Sequence, residues 1–168
     1  MKNVATLRTE CRSSAPSQSA TEDRGKLSQR FRILDDNAMP ILHEEGLIRS
    51  FITPERRQRF LQRVANLKTR GKQLEELNHF HHLDSRYAHL IPPQYQTPAR
   101  VYALLRERGA PDTCHVMGDS DFDGQDLPLR EAIERVLDHQ FGHFISCIPG
   151  KLGFFQDEDA GQRYILER

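Results

Sequence analysis

The sequence predicts an α+β domain in which helices come first and strands come last. Thr-Pro pairs at residues 53–54 and 97–98 open segments whose apolar residues recur at helical spacing. After Pro111 the chain shows short runs of β-branched and aromatic residues separated by turn residues. We therefore expect a helical N-terminal half packed on a small, mostly antiparallel sheet, with a C-terminal half that runs strand, helix, hairpin, strand.

Length and composition limit the domain organisation and the function classes. The 168 residues suffice for one core, and Lys plus Arg and Asp plus Glu both number 24, so the net charge favours no charged partner. Residues 1–30 are rich in Ser, Thr and Arg, which predicts a disordered N-terminal tail before a single domain over residues 31–168. No apolar run is long enough to span a membrane, and three cysteines are too few for a disulfide framework. We expect a cytoplasmic protein without a membrane partner.

Proline and glycine positions bound the first helices. Pro54 suits the first turn of a helix because it has no N–H to leave unpaired, and the apolar positions after it extend this helix over residues 54–69. Gly71 marks a break. The apolar spacing that follows predicts a second helix that ends near Leu83.

The remaining elements follow the same rules. A short helix opens at Pro98 and stops before Gly109. Between residues 129 and 137 the apolar side chains fall at i, i+3, i+4, i+7 and i+8, which predicts the most amphipathic helix of the chain. A Pro-Gly turn at residues 149–150 joins two strands in a hairpin. The predicted strands cover residues 113–117, 143–148, 152–155 and 163–166.

Four histidines lie within residues 79–89, which read HFHHLDSRYAH. If the second helix continues through this segment, Glu75, His79 and His82 fall at i, i+4 and i+7 on one face. Imidazole and carboxylate groups that converge from one helix can hold a transition metal, so these three residues are the candidate metal ligands. His81 would then point toward the core. The alternative is that His79 and His82 are solvated near the helix C-terminus, where imidazolium favours the dipole.

Residues 119–130 match the first half of a calcium-binding loop pattern but not its second half. Carboxylates occupy its first, third and fifth positions and Gly124 its sixth, but Arg130 stands at the twelfth, where calcium loops place a bidentate glutamate. Calcium is therefore not expected as a cofactor. We expect a solvated acidic turn in which Asp126 caps the following helix.

Two cysteines, Cys114 and Cys147, fall on separate predicted strands. If those strands are neighbours, the two thiols can meet and, with a histidine, form a soft-metal site or a nucleophile with its base. Their apolar neighbours favour the alternative that both are small buried side chains. Spacing alone does not establish whether they are adjacent.

Positive charge is concentrated in one predicted helical segment. Residues 53–72 hold seven basic residues and one acid, whereas residues 119–168 hold eleven acids and five bases. The basic residues can bind phosphates of a polyanion, or they can pair with the acidic part of the same chain. The candidate polyanion-binding or partner-binding residues of the Arg56–Lys72 segment are Arg56, Arg59, Arg63 and Arg70.

The sequence contains no set of acid, base and nucleophile that converges by spacing. The leading hypothesis is therefore a small, non-catalytic cytoplasmic interaction or regulatory domain whose partner is another protein. One alternative is a metal-dependent or Cys/His enzyme that uses Glu75, His79 and His82. A second alternative is polyanion or nucleic-acid binding, which the scarcity of aromatic residues among the basic ones does not favour.

Overall fold

A computed structural model of the 168-residue chain describes residues 41–139, 141–158 and 162–168. The predicted tail over residues 1–30 and the predicted start of the domain at residue 31 lie outside the described residues. Within the described part of the chain, no helix has the length and apolar character needed to cross a membrane.

Five α-helices and a six-stranded antiparallel sheet make up the described chain, which confirms the predicted α+β class. The helices are α1 (residues 41–51), α2 (Pro54–Val64), α3 (Leu67–Glu75), α4 (Pro98–Glu107) and α5 (Leu129–Asp138). The strands are β1 (Ala88–Leu90), β2 (Thr113–Gly118), β3 (Asp126–Pro128), β4 (His143–Ile148), β5 (Leu152–Gln156) and β6 (Arg163–Glu167). Short 3-10 turns cover Glu76–His79 and Pro93–Tyr95.

The sheet carries helices on both faces. Its strand order is β1-β6-β5-β4-β2-β3, and every neighbouring pair is antiparallel. Side chains alternate along β2, so Val116 joins a core with α4 and α5 while Met117 joins a second core with α1, α2 and α3. The N-terminal helices therefore cover one face of the sheet, and the two helices of the C-terminal half cover the other.

The single helix predicted over residues 54–69 is in fact two helices. α2 ends at Val64, and the Asn66 side chain then accepts a hydrogen bond of 3.0 Å from the Lys68 backbone N–H, which caps α3. The break therefore comes before Gly71, which lies inside α3. Any residue after the break has a different helical phase from the one that the uninterrupted pattern implied.

The second helix ends earlier than predicted. α3 stops at Glu75, and only a 3-10 turn follows it. The next segment pairs with the two residues that follow α1, because the Thr53 N–H donates to the His82 carbonyl at 2.8 Å and Leu83 forms an antiparallel bridge with Ile52. These backbone bonds replace those that a longer helix would have made.

Helix α1 was not predicted, although it supplies a large part of the second core. It lies across the turn between β4 and β5, where a Cβ on Gly46 would come within 2.8 Å of the Gly150 backbone nitrogen. Only glycine permits this approach. The buried apolar residues of α1 and of the residue that follows it are Leu47, Ile48, Phe51 and Ile52.

The strand, helix, hairpin, strand order of the C-terminal half is confirmed by β2, α5, the β4-β5 pair and β6. Gly150 has a φ of +68° in the hairpin turn, a conformation that favours glycine. Two further strands, β1 and β3, close the edges of the sheet. Each has three residues, which is too short for a period-two pattern to show in the sequence.

Candidate functional site

A cavity of about 370 Å³ lies between α2 and the segment that follows α3. Two buried aromatic side chains, Phe60 and Phe80, form its apolar wall, with ring centroids 5.7 Å apart. We call this cavity the arginine pocket. Its lining residues are Arg56, Arg59, Phe60, Gln73, Glu76, His79, Phe80 and His82.

Two guanidinium groups of the arginine pocket lack a counter-charge. Arg56 and Arg59 are exposed, and neither forms an ion pair with any residue that the structure describes. Arg63, on the next turn of α2, instead donates to Glu76 at 2.8 Å and to Gln73 at 3.2 Å. The one acid that lines the pocket is thus already paired, and the pocket carries net positive charge.

The two histidines of the arginine pocket differ in their surroundings. His79 Nδ1 lies 2.7 Å from a carboxylate oxygen of Glu158, which precedes the last strand. Burial and the nearby charge of Arg56 lower the pKa of His82 below its usual value. The lowered pKa of His82 favours its neutral form, whereas Arg56 and Arg59 bring permanent positive charge to the pocket.

The predicted metal ligands do not share a helix face. Glu75 is the last residue of α3, His79 ends the 3-10 turn and His82 lies in the segment that pairs with α1. The pocket brings His79 and His82 together but does not include Glu75. In the described ranges, no group of three or more His, Cys, Asp or Glu side chains could hold a metal ion. His81, expected to face the core, is exposed.

The four predicted polyanion-binding arginines are also separated by the fold. Arg56, Arg59 and Arg63 recur along α2, but Arg70 belongs to α3 and points away from them. Its guanidinium contacts Glu44 of α1 and Asp123 of the loop after β2. Arg70 is only 17% exposed, because the break at residue 66 turns it toward the interior.

Arg70 belongs to a second polar cluster, which we call the histidine network. His43 Nδ1 lies 2.9 Å from Ser146 Oγ, and the His43 and His115 rings stack with centroids 5.7 Å apart. His115 lies between two carboxylates, with Nδ1 2.7 Å from Asp126 and Nε2 3.4 Å from Glu44. The network comprises His43, Glu44, Arg70, His115, Asp123, Asp126 and Ser146. Asp126 therefore contacts a histidine and does not cap α5 as predicted.

The two histidines of the network have opposite pKa shifts. Burial lowers the pKa of His43, and the charge of neighbouring His115 lowers it further. Burial also acts to lower the pKa of His115, but the hydrogen bonds that its ring donates to the Glu44 and Asp126 carboxylates outweigh burial and raise that pKa. Ser146 and His43 are 2% and 8% exposed. Because both side chains are buried, the pair lacks the exposed hydroxyl that a nucleophile needs to meet a substrate.

The two cysteines are neighbours. β2 and β4 pair with Val116 opposite Ile145, and Cys114 and Cys147 belong to the same core cluster on the α4-α5 face. Both thiols are free and buried, and burial raises the pKa of Cys114 to about 12. His115, adjacent in sequence, lies on the other face of the sheet. These thiols therefore stay protonated, and the histidines of the histidine network lie on the opposite face of the sheet from them.

A signal in the sequence could have revealed the histidine network. Leu47, Ile48 and Phe51 recur at helical spacing, and His43 lies one turn before Leu47 on the same face. A histidine at an otherwise apolar position of a helix indicates a buried polar contact. Its partner, Ser146, lies 103 positions away, and no local pattern connects the two.

Comparisons with known proteins do not assign the chain to a family. The chain matches no known family model, no curated protein and no solved structure at a significant level.

Proposed function

We propose that this chain is a small, non-catalytic cytoplasmic interaction domain that binds a phosphorylated segment of another protein in the arginine pocket. One observation carries the proposal. Arg56 and Arg59 face a cavity without an ion-pair partner in the described chain, whereas nearby arginines are neutralised. Arg57, which lies between them in sequence, instead donates to the Ile52 carbonyl at 2.7 Å.

The chemistry of the pocket suits a phosphoryl group. Arg56 and Arg59 stand at i and i+3 on α2, so both guanidinium groups project toward the same cavity. Guanidinium forks bind phosphate oxygens through paired, charge-assisted hydrogen bonds. A phosphorylated side chain carries nearly two negative charges at neutral pH. The buried rings of Phe60 and Phe80 exclude water from one side, which strengthens those contacts.

The alternatives have less support. Nucleic-acid binding depends on an extended row of cations, but two of the four predicted arginines are already paired. Arg63 pairs with Glu76, and Arg70 pairs with Glu44 and Asp123. An enzyme built on Glu75, His79 and His82 needs those side chains in one site, and Glu75 is outside the pocket.

The proposed location has its own support. Cys114 and Cys147 are free thiols within one core cluster. Unpaired neighbouring thiols favour a reducing compartment. The cytoplasm is such a compartment, and phosphorylated protein segments occur there.

The test measures binding of N-acetyl-phosphoserine amide to the full chain by calorimetry. We expect the phosphorylated probe to bind and the unphosphorylated one not to bind. The Arg56→Gln/Arg59→Gln variant should bind at least roughly tenfold more weakly, because a hydrogen bond to a charged group contributes about 1.5–3 kcal/mol. The matched control is Lys68→Gln/Lys72→Gln, which removes two exposed positive charges from α3 outside the pocket.

Three outcomes contradict the proposal. The first is that neither probe binds at millimolar concentration. In the second, both double variants lose affinity equally, which assigns binding to net charge alone. The third is tighter binding of a single-stranded oligonucleotide than of the phosphoserine probe, with loss of that binding in Arg56→Gln/Arg59→Gln, which favours nucleic acid as the partner.

A further inference from the structure

The histidine network joins α1 to the sheet through two histidines, a residue type whose ordinary pKa is about 6.5, and through the groups that contact them. α1 contributes His43 and Glu44, and the strands beneath it contribute His115, Asp126 and Ser146. Each of these contacts joins α1 to another element, except the bond between His115 and Asp126. Loss of these contacts frees the N-terminal half of α1, although its apolar residues still pack on the core.

The geometry assigns different charge states to the two histidines. Both ring nitrogens of His115 face carboxylate oxygens, so two N–H donors satisfy both contacts and the imidazolium fits. A neutral ring would present a lone pair to Glu44 or to Asp126. His43 faces the Ser146 hydroxyl, which can hydrogen-bond to a neutral imidazole as well as to an imidazolium. The His43 ring also stacks on the His115 ring. Protonation of His43 would place two imidazolium cations against each other.

We propose that the His43–His115 pair is a proton-dependent latch. It holds helix α1 on the sheet when His115 is imidazolium and His43 is neutral, and it loosens when both rings are imidazolium or both are neutral. This inference is independent of the arginine pocket. The other charged groups that face the pair are Arg70 of α3, which pairs with Glu44, and Asp123, which pairs with Arg70. The pKa of Arg70 is raised by its carboxylate partners Glu44 and Asp123, so Arg70 keeps its charge and the histidines supply the response.

The pH dependence follows from the two shifts. The pKa of His115 is raised, so its contribution is complete below about pH 6.5, the ordinary histidine value, and is lost as the pH rises through the folded-state pKa. The pKa of His43 is lowered, so the unfolded state takes up a proton first, and stability falls as the pH drops below about 6.5. The latch is therefore tightest near pH 6.5 and weakens on both sides.

Hydrogen exchange of the full chain at pH 5.0, 6.5 and 8.0, corrected for intrinsic rates, tests the latch. The readout is protection of residues 43–51 relative to the β4-β5 hairpin, because buried His143 also has a lowered pKa and contributes to global acid sensitivity. We expect protection of α1 to be greatest at pH 6.5 and to fall about tenfold at the extremes. His43→Gln should abolish the fall at acid pH, and His115→Gln the fall at alkaline pH. His89→Gln, on the exposed edge strand, should behave like the wild type.

The same pH profile in the wild type and in His43→Gln would overturn the proposal, as would parallel loss of protection in α1 and the hairpin. If either variant does not fold, an NMR titration of the wild-type imidazoles decides the question. One buried histidine of the pair must titrate above pH 6.5 and the other below it. Titration of both on the same side contradicts the latch.

Discussion

Arg70 and Glu44 form a two-point ion pair that ties α3 to α1, with Nη1 2.9 Å from Oε2 and Nη2 against Oε1. The same guanidinium reaches Asp123, with Nε 2.7 Å from Oδ2 and Nη2 2.9 Å from Oδ1. Asp123 in turn accepts the Gly118 backbone N–H at 3.2 Å. One arginine thus fixes two helices and the loop after β2.

Replacing Arg70 should destabilise the protein strongly. Arg70→Met leaves Glu44 and Asp123 facing each other in a partly buried site, and we expect the free energy of unfolding to fall by about 3 kcal/mol. Urea unfolding measures this change. Arg49→Met is the control, since its pair with Glu45 is exposed and should contribute less than about 1 kcal/mol. Equal losses would show that the Arg70 contacts add no stability.

Glu158 should weaken anion binding in the arginine pocket. Its carboxylate contacts His79 and places a negative charge beside the cavity. Glu158→Gln removes that charge, so affinity for the phosphoserine probe should rise several-fold. Calorimetry measures the change, and Glu131→Gln, which alters an exposed pair with Arg135 on α5, is the charge-matched control. Unchanged affinity in Glu158→Gln would place the bound phosphate away from His79.

Cys114 and Cys147 should not react with thiol reagents in the folded protein. The thiolate is the reactive form, and burial raises the pKa of Cys114 to about 12 and that of Cys147 also. In a Cys11→Ser background, we expect no labelling by a disulfide reagent at pH 7.5 and labelling of both thiols in guanidinium chloride. Rapid labelling of either thiol without denaturant would restore the Cys/His enzyme hypothesis.

Calcium at micromolar concentration should leave the melting temperature unchanged. The Asp123 carboxylate already accepts hydrogen bonds from Arg70, and Arg130, at the twelfth loop position, stacks over the Tyr102 ring at 4.3 Å. A cation at the loop would have to displace Arg70. Thermal melting with and without calcium is the measurement. A rise that grows with calcium concentration would demonstrate binding to the native state.

Local signals predicted the helices of the C-terminal half well. α4 begins at Pro98 and α5 covers residues 129–138, as their prolines and apolar spacing implied. The bounds of α2 and α3 were predicted less accurately. The side chain of Asn66 caps a new helix at residue 67, and the pairing of residues 82–83 with the residues after α1 takes the place of further helix. The spacing of apolar residues along the sequence does not by itself specify those contacts.

The candidate site was predicted only in separate parts. The sequence indicated Arg56 and Arg59 as anion ligands, and His79 and His82 as metal ligands, but gave no reason to place the pairs together. They line one cavity because the chain leaves the helix after Glu75 and turns back toward α2. The histidine network depends on contacts between α1 and β4, which are distant in sequence.

The distance along the chain between His43 and Ser146 has a consequence for synthesis of the protein. The two residues are 103 positions apart. At a translation rate of about 5–20 residues per second, α1 is synthesised roughly 5–20 s before β4. During that interval the apolar face formed by Leu47, Ile48 and Phe51 has no sheet to cover it. The nascent chain therefore exposes this apolar segment early in synthesis, and native docking of α1 is a late, long-range step in folding.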